Sequence, residues 1–165
     1  MKIFRFLGFV TAAVAWAHPA AALCSDPPQP GVDWRRCVLT ERDFSNREMA
    51  KSRLRDGRFT RSDFTGTDFT GSDMRGAKFL TSVLKDAILV KTRLSRADFT
   101  NADLTGADLR EADLNRAKFD GANLRGANLT GASIRGTDLF GADLSGATWI
   151  DGALVCAEGS IGQCR

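Results

Sequence analysis

The residues most able to do chemistry are few. The chain has four cysteines, Cys24, Cys37, Cys156 and Cys164, and a single histidine, His18. The cysteines are spaced by 13 and 8 residues within each pair, which differs from zinc-knuckle spacing. His18 cannot complete a ligand set, because it lies in the N-terminal segment that we predict to be cleaved after Ala22. The sequence therefore favours disulfides over a metal site.

Aspartate and glycine recur in a fixed pattern. Ten aspartates each precede a large apolar residue, and glycines recur two positions after such residues from Gly66 to Gly146. Paired carboxylates in a cleft can act as general acid and base, but recurrence along the chain favours turn-stabilising carboxylates and glycines at permissive corners. No Walker or dinucleotide fingerprint occurs. The sequence predicts neither an enzyme nor a bound cofactor.

A five-residue repeat must position these residues. Every fifth residue from Leu39 to Leu154 is large and apolar, 24 in all, and the residue two before each is small from Ser52 through Gly152. A period of five fits neither the helix nor the strand template. Internal repetition therefore decides the fold, with small and large side chains alternating in a narrow core.

Units such as Ala102-Asp103-Leu104-Thr105-Gly106 resemble the consensus Ala-(Asp/Asn)-Leu-X-X of the pentapeptide-repeat family, over residues 37–156 without insertion. The resemblance implies an all-β fold, a right-handed quadrilateral β-helix with one repeat per side and about six coils. Four phenylalanines recur at the spacing of one coil, 20 residues, and are predicted to stack as a ladder: Phe59, Phe79, Phe99 and Phe119.

Four segments are predicted: a signal peptide over 1–22, an N-terminal cap over 23–38, the β-helix over 39–155 and a C-terminal cap over 156–165. Lys2 and Arg5 flank a short apolar run that ends in small residues, which is typical of a cleaved signal peptide. The sequence thus predicts a periplasmic or secreted protein. No segment approaches the roughly 20 apolar residues of a membrane-spanning helix.

The cysteines lie where caps belong. Leu23 stands where a lipoprotein would need a small residue, so Cys24 is interpreted as a disulfide partner. On the rod that the resemblance implies, the two cysteine pairs lie at opposite ends, which leaves only Cys24–Cys37 and Cys156–Cys164. Both ends are similar to those of exported, disulfide-capped family members from Gram-negative bacteria.

The charges are balanced in total but uneven around the rod. Cleavage after Ala22 would leave 21 basic and 20 acidic residues. One pair of adjacent sides is basic, and we predict a basic edge at Arg55, Arg58, Arg75 and Lys78 for an anionic envelope ligand. The alternative, which we favour, is a solvated face of interleaved salt bridges.

Outward apolar residues suggest two further contact surfaces. Leu80, Val83, Ile88 and Val90 lie in the third coil. A second group near the C-terminal end, where the tail could cover it or a second copy could dock, consists of Phe140, Ile150 and Val155. The predicted partner is another protein or a second copy, and the predicted function is a non-enzymatic structural or protein-interaction module of the bacterial envelope. The alternative from the family is DNA mimicry that targets type II topoisomerases. Near-neutral charge and predicted export count against that alternative and against nucleic-acid binding.

Overall fold

The computed structural model describes residues 24–165, which form a rod built from parallel bridges between residues 20 positions apart. Each side of a coil is so short that it contributes one bridging residue rather than an extended strand. The bridging residues form four columns: side 1 from Asp33 to Ser133, side 2 from Val38 to Asp138, side 3 from Asp43 to Asp143 and side 4 from Glu48 to Thr148. This offset confirms the predicted four-sided coil.

The rod contains the predicted six coils, but its first repeat is the one centred on Trp34, one repeat before the predicted start at Leu39. The ladder starts at Asp33, and its last parallel bridge reaches Thr148. Trp34 is the first large core residue, at 1% exposure, whereas Leu154 is 41% exposed. The first coil therefore includes part of the segment 23–38 that the sequence assigns to a cap. The repeat ends early because the chain turns back, with the Asp151 carboxylate accepting the amides of Ala153 and Leu154.

The core residues stack in register from coil to coil. The ring centroids of Phe59, Phe79, Phe99 and Phe119 are separated by 5.2, 5.2 and 5.0 Å, and adjacent rings are within 19° of parallel. The predicted aromatic ladder is confirmed. It forms because each ring repeats after one coil, at a distance that suits aromatic stacking.

The small core positions tolerate hydroxyls because the coil below supplies an acceptor. The Thr67 Oγ1 donates to the carbonyl of Phe44 at 2.7 Å, and the Ser82 Oγ donates to that of Phe59 at 2.7 Å. Within residues 24–165, no buried side-chain oxygen or nitrogen lacks a hydrogen-bond partner. Serine and threonine thus replace alanine in the narrow core without an unsatisfied group.

The corners need a left-handed backbone. Two residues after the large core residues from Trp34 to Leu144 φ is positive, as at Gly66 (65°), and the same conformation occurs at Asn46 (54°) and Arg61 (58°). A residue with a Cβ pays roughly 1–2 kcal/mol for this conformation. The backbone ladder compensates, since the corner amide of Asn46 donates to the carbonyl of Thr65 in the next coil at 2.7 Å.

Two disulfides close the ends with the predicted pairing. Cys24 bonds Cys37 with Cα atoms 5.5 Å apart, and Cys156 bonds Cys164 with Cα atoms 4.9 Å apart. Cys37 is 1% exposed because it occupies a small core position of the first coil. The predicted signal peptide, residues 1–22, lies outside the described residues. Over residues 24–165 there is no helix with the length and apolar character needed to cross a membrane.

A phenylalanine inside the ladder should contribute more stability than one at its end. Phe99 stacks on both Phe79 and Phe119, whereas Phe119 stacks on Phe99 alone. We expect Phe99→Leu to lower the free energy of unfolding by about 0.5–1.5 kcal/mol more than Phe119→Leu. Urea denaturation of the two variants measures this difference, and equal losses would contradict a ladder stabilised by stacking.

The N-terminal disulfide should stabilise the rod. Cys24→Ser combined with Cys37→Ala removes it. Alanine is the residue that the same small core position carries at Ala77, two coils further along the rod. The chain-entropy model predicts a loss of up to about 3 kcal/mol for this 13-residue separation. Chemical denaturation measures the loss. Stability equal to that of the unsubstituted protein would show that the cap needs no covalent closure.

Candidate interaction surfaces

The recurring aspartates have a structural role. All ten accept the backbone amide two residues further on, as when Asp63 Oδ1 accepts the amide of Thr65 at 2.8 Å. This bond lowers the pKa of Asp43, whose carboxylate accepts the amide of Ser45. Among residues 24–165, no group of three or more His, Cys, Asp or Glu side chains could hold a metal ion. The carboxylates therefore stabilise corners.

Two aspartates of side 1 also bind an arginine side chain. The Arg75 guanidinium makes two hydrogen bonds to Asp73, of 2.7 and 2.5 Å, and Arg35 makes an equivalent pair to Asp33. Hydrogen bonding to these arginines holds the pKa of both carboxyls below the usual range. Such two-residue pairs fix the arginine side chain along the corner that follows side 1.

Arginines line that corner over the whole rod. Short residues between them, such as Gly76 and Ser95, leave two depressions that join at Arg55 and Asp56, each of about 490 Å³. We call this feature the arginine groove. Six coils with a rise of about 4.8 Å place its ends roughly 24 Å apart. Its seven arginines are Arg35, Arg36, Arg55, Arg75, Arg96, Arg116 and Arg135.

The groove is only partly neutralised. Arg35 and Arg75 pair with aspartates of side 1, and Arg55 lies 3.6 Å from Asp56. The other four have no acidic partner within 4.0 Å among residues 24–165, and all four are exposed: Arg36, Arg96, Arg116 and Arg135. The groove can therefore offer several guanidinium groups to an anion without first breaking an ion pair.

The predicted basic edge divides between two features. Arg55 and Arg75 lie in the arginine groove, whereas Arg58 and Lys78 are bridged neighbours on side 2. Sequence reasoning missed the groove's first row, Arg35 and Arg36, because it assigned those residues to a cap. The available signal was Trp34, which continues the large-residue frame by one repeat.

The apolar residues of the third coil spread around the rod. Val83 bridges on side 3 and Ile88 on side 4, while Leu80 and Val90 lie at the corners after sides 2 and 4. Ile88 is exposed, at 39%, and the other three are half-buried. The four residues therefore form a belt over two sides and two corners.

Phe140 is more exposed than any residue of that belt. Its side chain is 77% exposed at the corner after side 2 of the last coil. Other exposed apolar residues lie at the same end of the rod: Leu154, Val155 and Ile161. The C-terminal end is therefore the more concentrated apolar surface.

Comparison with known families agrees with this architecture. The family model for pentapeptide repeats matches residues 49–79, 82–116 and 107–146, in 8 copies. This chain belongs to the pentapeptide-repeat family, whose fold is a right-handed β-helix. No curated protein is similar enough to count as a relative.

Several solved structures are similar. Rfr23, a pentapeptide repeat protein from the cyanobacterium Cyanothece 51142, is 28% identical, with a TM-score of 0.52 over 68% of this chain and 83% of that chain. HetL from Nostoc sp. strain PCC 7120, described as involved in heterocyst differentiation regulation, is 20% identical, with a TM-score of 0.43 over 75% of this chain and 92% of that one. QnrB1, a plasmid-mediated fluoroquinolone resistance protein, is 25% identical, with a TM-score of 0.36 over 68% and 74% of the two chains.

Acid should weaken the rod. Hydrogen bonding lowers the folded-state pKa of carboxyls such as Asp43 and Asp73 below the ordinary value of 3.8. The stability that these groups contribute is present above that value and is lost as the pH falls through the lower folded-state pKa. We expect a free energy of unfolding that is constant above about pH 5 and decreases below about pH 4.

Urea denaturation at neutral and acidic pH measures this decrease. Asp73→Asn keeps a side-chain oxygen for the corner amide but removes the titrating group and should reduce the acid-induced loss. The interpretation fails if stability rises on acidification, or if the variant loses as much as the unsubstituted protein.

Proposed function

We propose that this protein is an exported, non-enzymatic interaction module that binds an acidic, extended segment of another protein along the arginine groove. The observation that carries the proposal is the row of exposed arginines at one corner, four of them without an acidic partner among residues 24–165. Guanidinium groups bind carboxylates with paired, directional hydrogen bonds. The backbone ladder fixes the spacing of these residues before any partner binds, which lowers the entropic cost of binding.

The shape of the groove suits an extended ligand. Successive rows are one coil rise apart, about 4.8 Å, and the whole groove is straight and roughly 24 Å long. An extended peptide of about seven residues spans that length at roughly 3.3 Å per residue. Carboxylates along such a peptide could meet arginines in successive coils.

Export to an oxidising compartment is supported by the disulfides. Cys24–Cys37 and Cys156–Cys164 use all four cysteines of the chain. Disulfides persist in the periplasm and outside the cell, where thiols are not kept reduced. The proposed site of action is therefore the bacterial envelope or its surroundings. DNA mimicry has less support, because the arginine groove is basic and the recurring aspartates bond to their own corners.

Binding of a fluorescein-labelled peptide of ten glutamates tests the groove. We expect fluorescence anisotropy to detect binding that weakens with salt and falls at least about tenfold in Arg96→Glu/Arg116→Glu, since each reversal exchanges an attraction for a repulsion. Lys51→Glu/Lys91→Glu makes the same change of charge at the corner after side 4 and should bind nearly as well as the unsubstituted protein.

Two results would overturn the proposal. Equal losses in both double variants would mean that binding follows net charge rather than the groove. Binding to vesicles of phosphatidylglycerol but not to the peptide would assign the groove to a lipid surface instead of an acidic protein.

A further inference from the structure

The C-terminal end of the rod is covered on two of its four sides. Beyond the turn at Asp151, the tail runs back antiparallel over side 4 and then side 3, with Val155 bridged to Thr148 and Ile161 bridged to Asp143. On side 4, the amide of Trp149 donates to the carbonyl of Leu154 at 2.7 Å, and that of Cys156 donates to Ala147 at 2.8 Å. The tail thus adds half of a seventh layer.

Sides 1 and 2 of the last coil have no such cover. In the fifth coil, the amides of Leu114 and Phe119 donate to carbonyls of the sixth, at 2.9 and 2.8 Å. The equivalent amides of Ile134 and Leu139 have no acceptor within residues 24–165, and within the same range no amide donates to the carbonyls of Ala132 and Thr137. An open β edge of this kind is a template for pairing with another chain.

The tail itself also has an unpaired outer edge. The amide and the carbonyl of Val155 point away from side 4, to which the neighbouring Leu154 and Cys156 are bonded. Neither group has a backbone partner within residues 24–165. Val155 is 59% exposed and Ile161 is 49% exposed. The C-terminal end therefore carries an open edge on sides 1 and 2 and, one layer higher, the free outer edge of the tail on sides 3 and 4. We call this difference in height the step.

We propose that two copies associate end to end about a twofold axis, with the tail of each lying on the open sides 1 and 2 of the other. Turning a copy end over end reverses the direction in which its chain circles the rod axis. Because the tail runs against its own coil, the tail of the second copy runs parallel to the sides that it meets. The two steps then interlock and complete one shared seventh layer.

On side 1, the hydrogen bonds of this layer repeat those already present in the rod, whereas on side 2 the amide of Ile161 already donates to the carbonyl of Gly159 in its own chain at 3.0 Å. Arg53 donates its amide to the carbonyl of Val32 and accepts the amide of Trp34, both at 2.8 Å. In the interlocked pair, Val155 of the second copy stands over Ser133 in the same relation to Ala132 and Ile134. The free amide and carbonyl of Val155 match the free carbonyl and amide of the open edge.

The charges at the step are complementary as well. Arg135 occupies the corner between the two open sides and has no acidic partner within 4.0 Å among residues 24–165. The tail turns its own corner at Glu158, whose side chain is 76% exposed and is held by Arg125 at 2.8 Å. The twofold arrangement brings each Glu158 over the Arg135 of the other copy. A self-complementary contact of this type is characteristic of twofold dimers.

Light scattering on the oxidised protein tests the dimer, and we expect twice the mass of one chain. Val155→Pro removes an amide that bonds nothing in its own chain, so it should give the monomer mass. Its urea midpoint should equal that of the unsubstituted protein diluted until it is monomeric, because dimerisation itself stabilises the folded chain. Val38→Pro is the matched control at the opposite end, because Val38 is also exposed, at 61%, and its amide also has no backbone acceptor within residues 24–165. The control should remain dimeric.

Engineered cysteines test the register. Asp138→Cys with Ile161→Cys places thiols on residues that adjoin across the proposed interface, and oxidation should give a covalent dimer. The crossed combination, Asp138→Cys with Val155→Cys, should not. A monomer at every concentration, a mass that continues to grow with concentration, or an unaltered dimer in Val155→Pro would each overturn the proposal. Arg96→Glu/Arg116→Glu should leave the mass unchanged, which separates this dimer from the arginine groove.

Discussion

The structure depends on one interaction, the pairing of each bridging residue with the residue 20 positions later. This backbone ladder runs from Asp33 to Thr148 without interruption. A single coil buries few side chains relative to the backbone that it must order, so each coil is stable only against its neighbours. The aromatic ladder and the hydroxyl-to-carbonyl bonds follow from that register, because both join residues that the ladder has already superimposed. The two disulfides close the chain at the two ends of the rod, where the backbone ladder stops.

The same register turns a sequence period into surface columns. Residues that are 20 apart stand one coil rise apart on the same side, so a few substitutions at one position of the repeat change a whole edge. Arginines at the corner after side 1 form a groove in this way, although the chain as a whole is close to neutral. Aspartates in the bridging position serve the corners instead, since each accepts an amide two residues further on. Column position, rather than residue type alone, separates binding candidates from structural groups.

Much of the fold could be predicted because the repeat is strict. Phe59 and Phe79 stack as their spacing indicated. Cys24 bonds Cys37 at one end of the rod, and Cys156 bonds Cys164 at the other, as predicted. The frame was wrong by one repeat at both ends, for two physical reasons. Trp34 is a large core residue, but it follows a proline-rich segment that was predicted to form a cap. Leu154 lies five residues after Trp149 and so fits the period, although the coil has already ended at Thr148. The first of these errors hid Arg35 and Arg36 from the predicted basic edge.

By itself, the sequence determined the period, the composition of each column and the end of the rod at which each cysteine pair lies. These are relations between residues at fixed separations, and a repeat specifies them directly. Only the tertiary structure decided that Arg75 is held by Asp73 while Arg96 and Arg116 stay unpaired. It also decided that the tail covers sides 3 and 4 and leaves Ile134 and Leu139 at an open edge. The tail has no repeat, so its path depends on which backbone groups of the last coil it can satisfy.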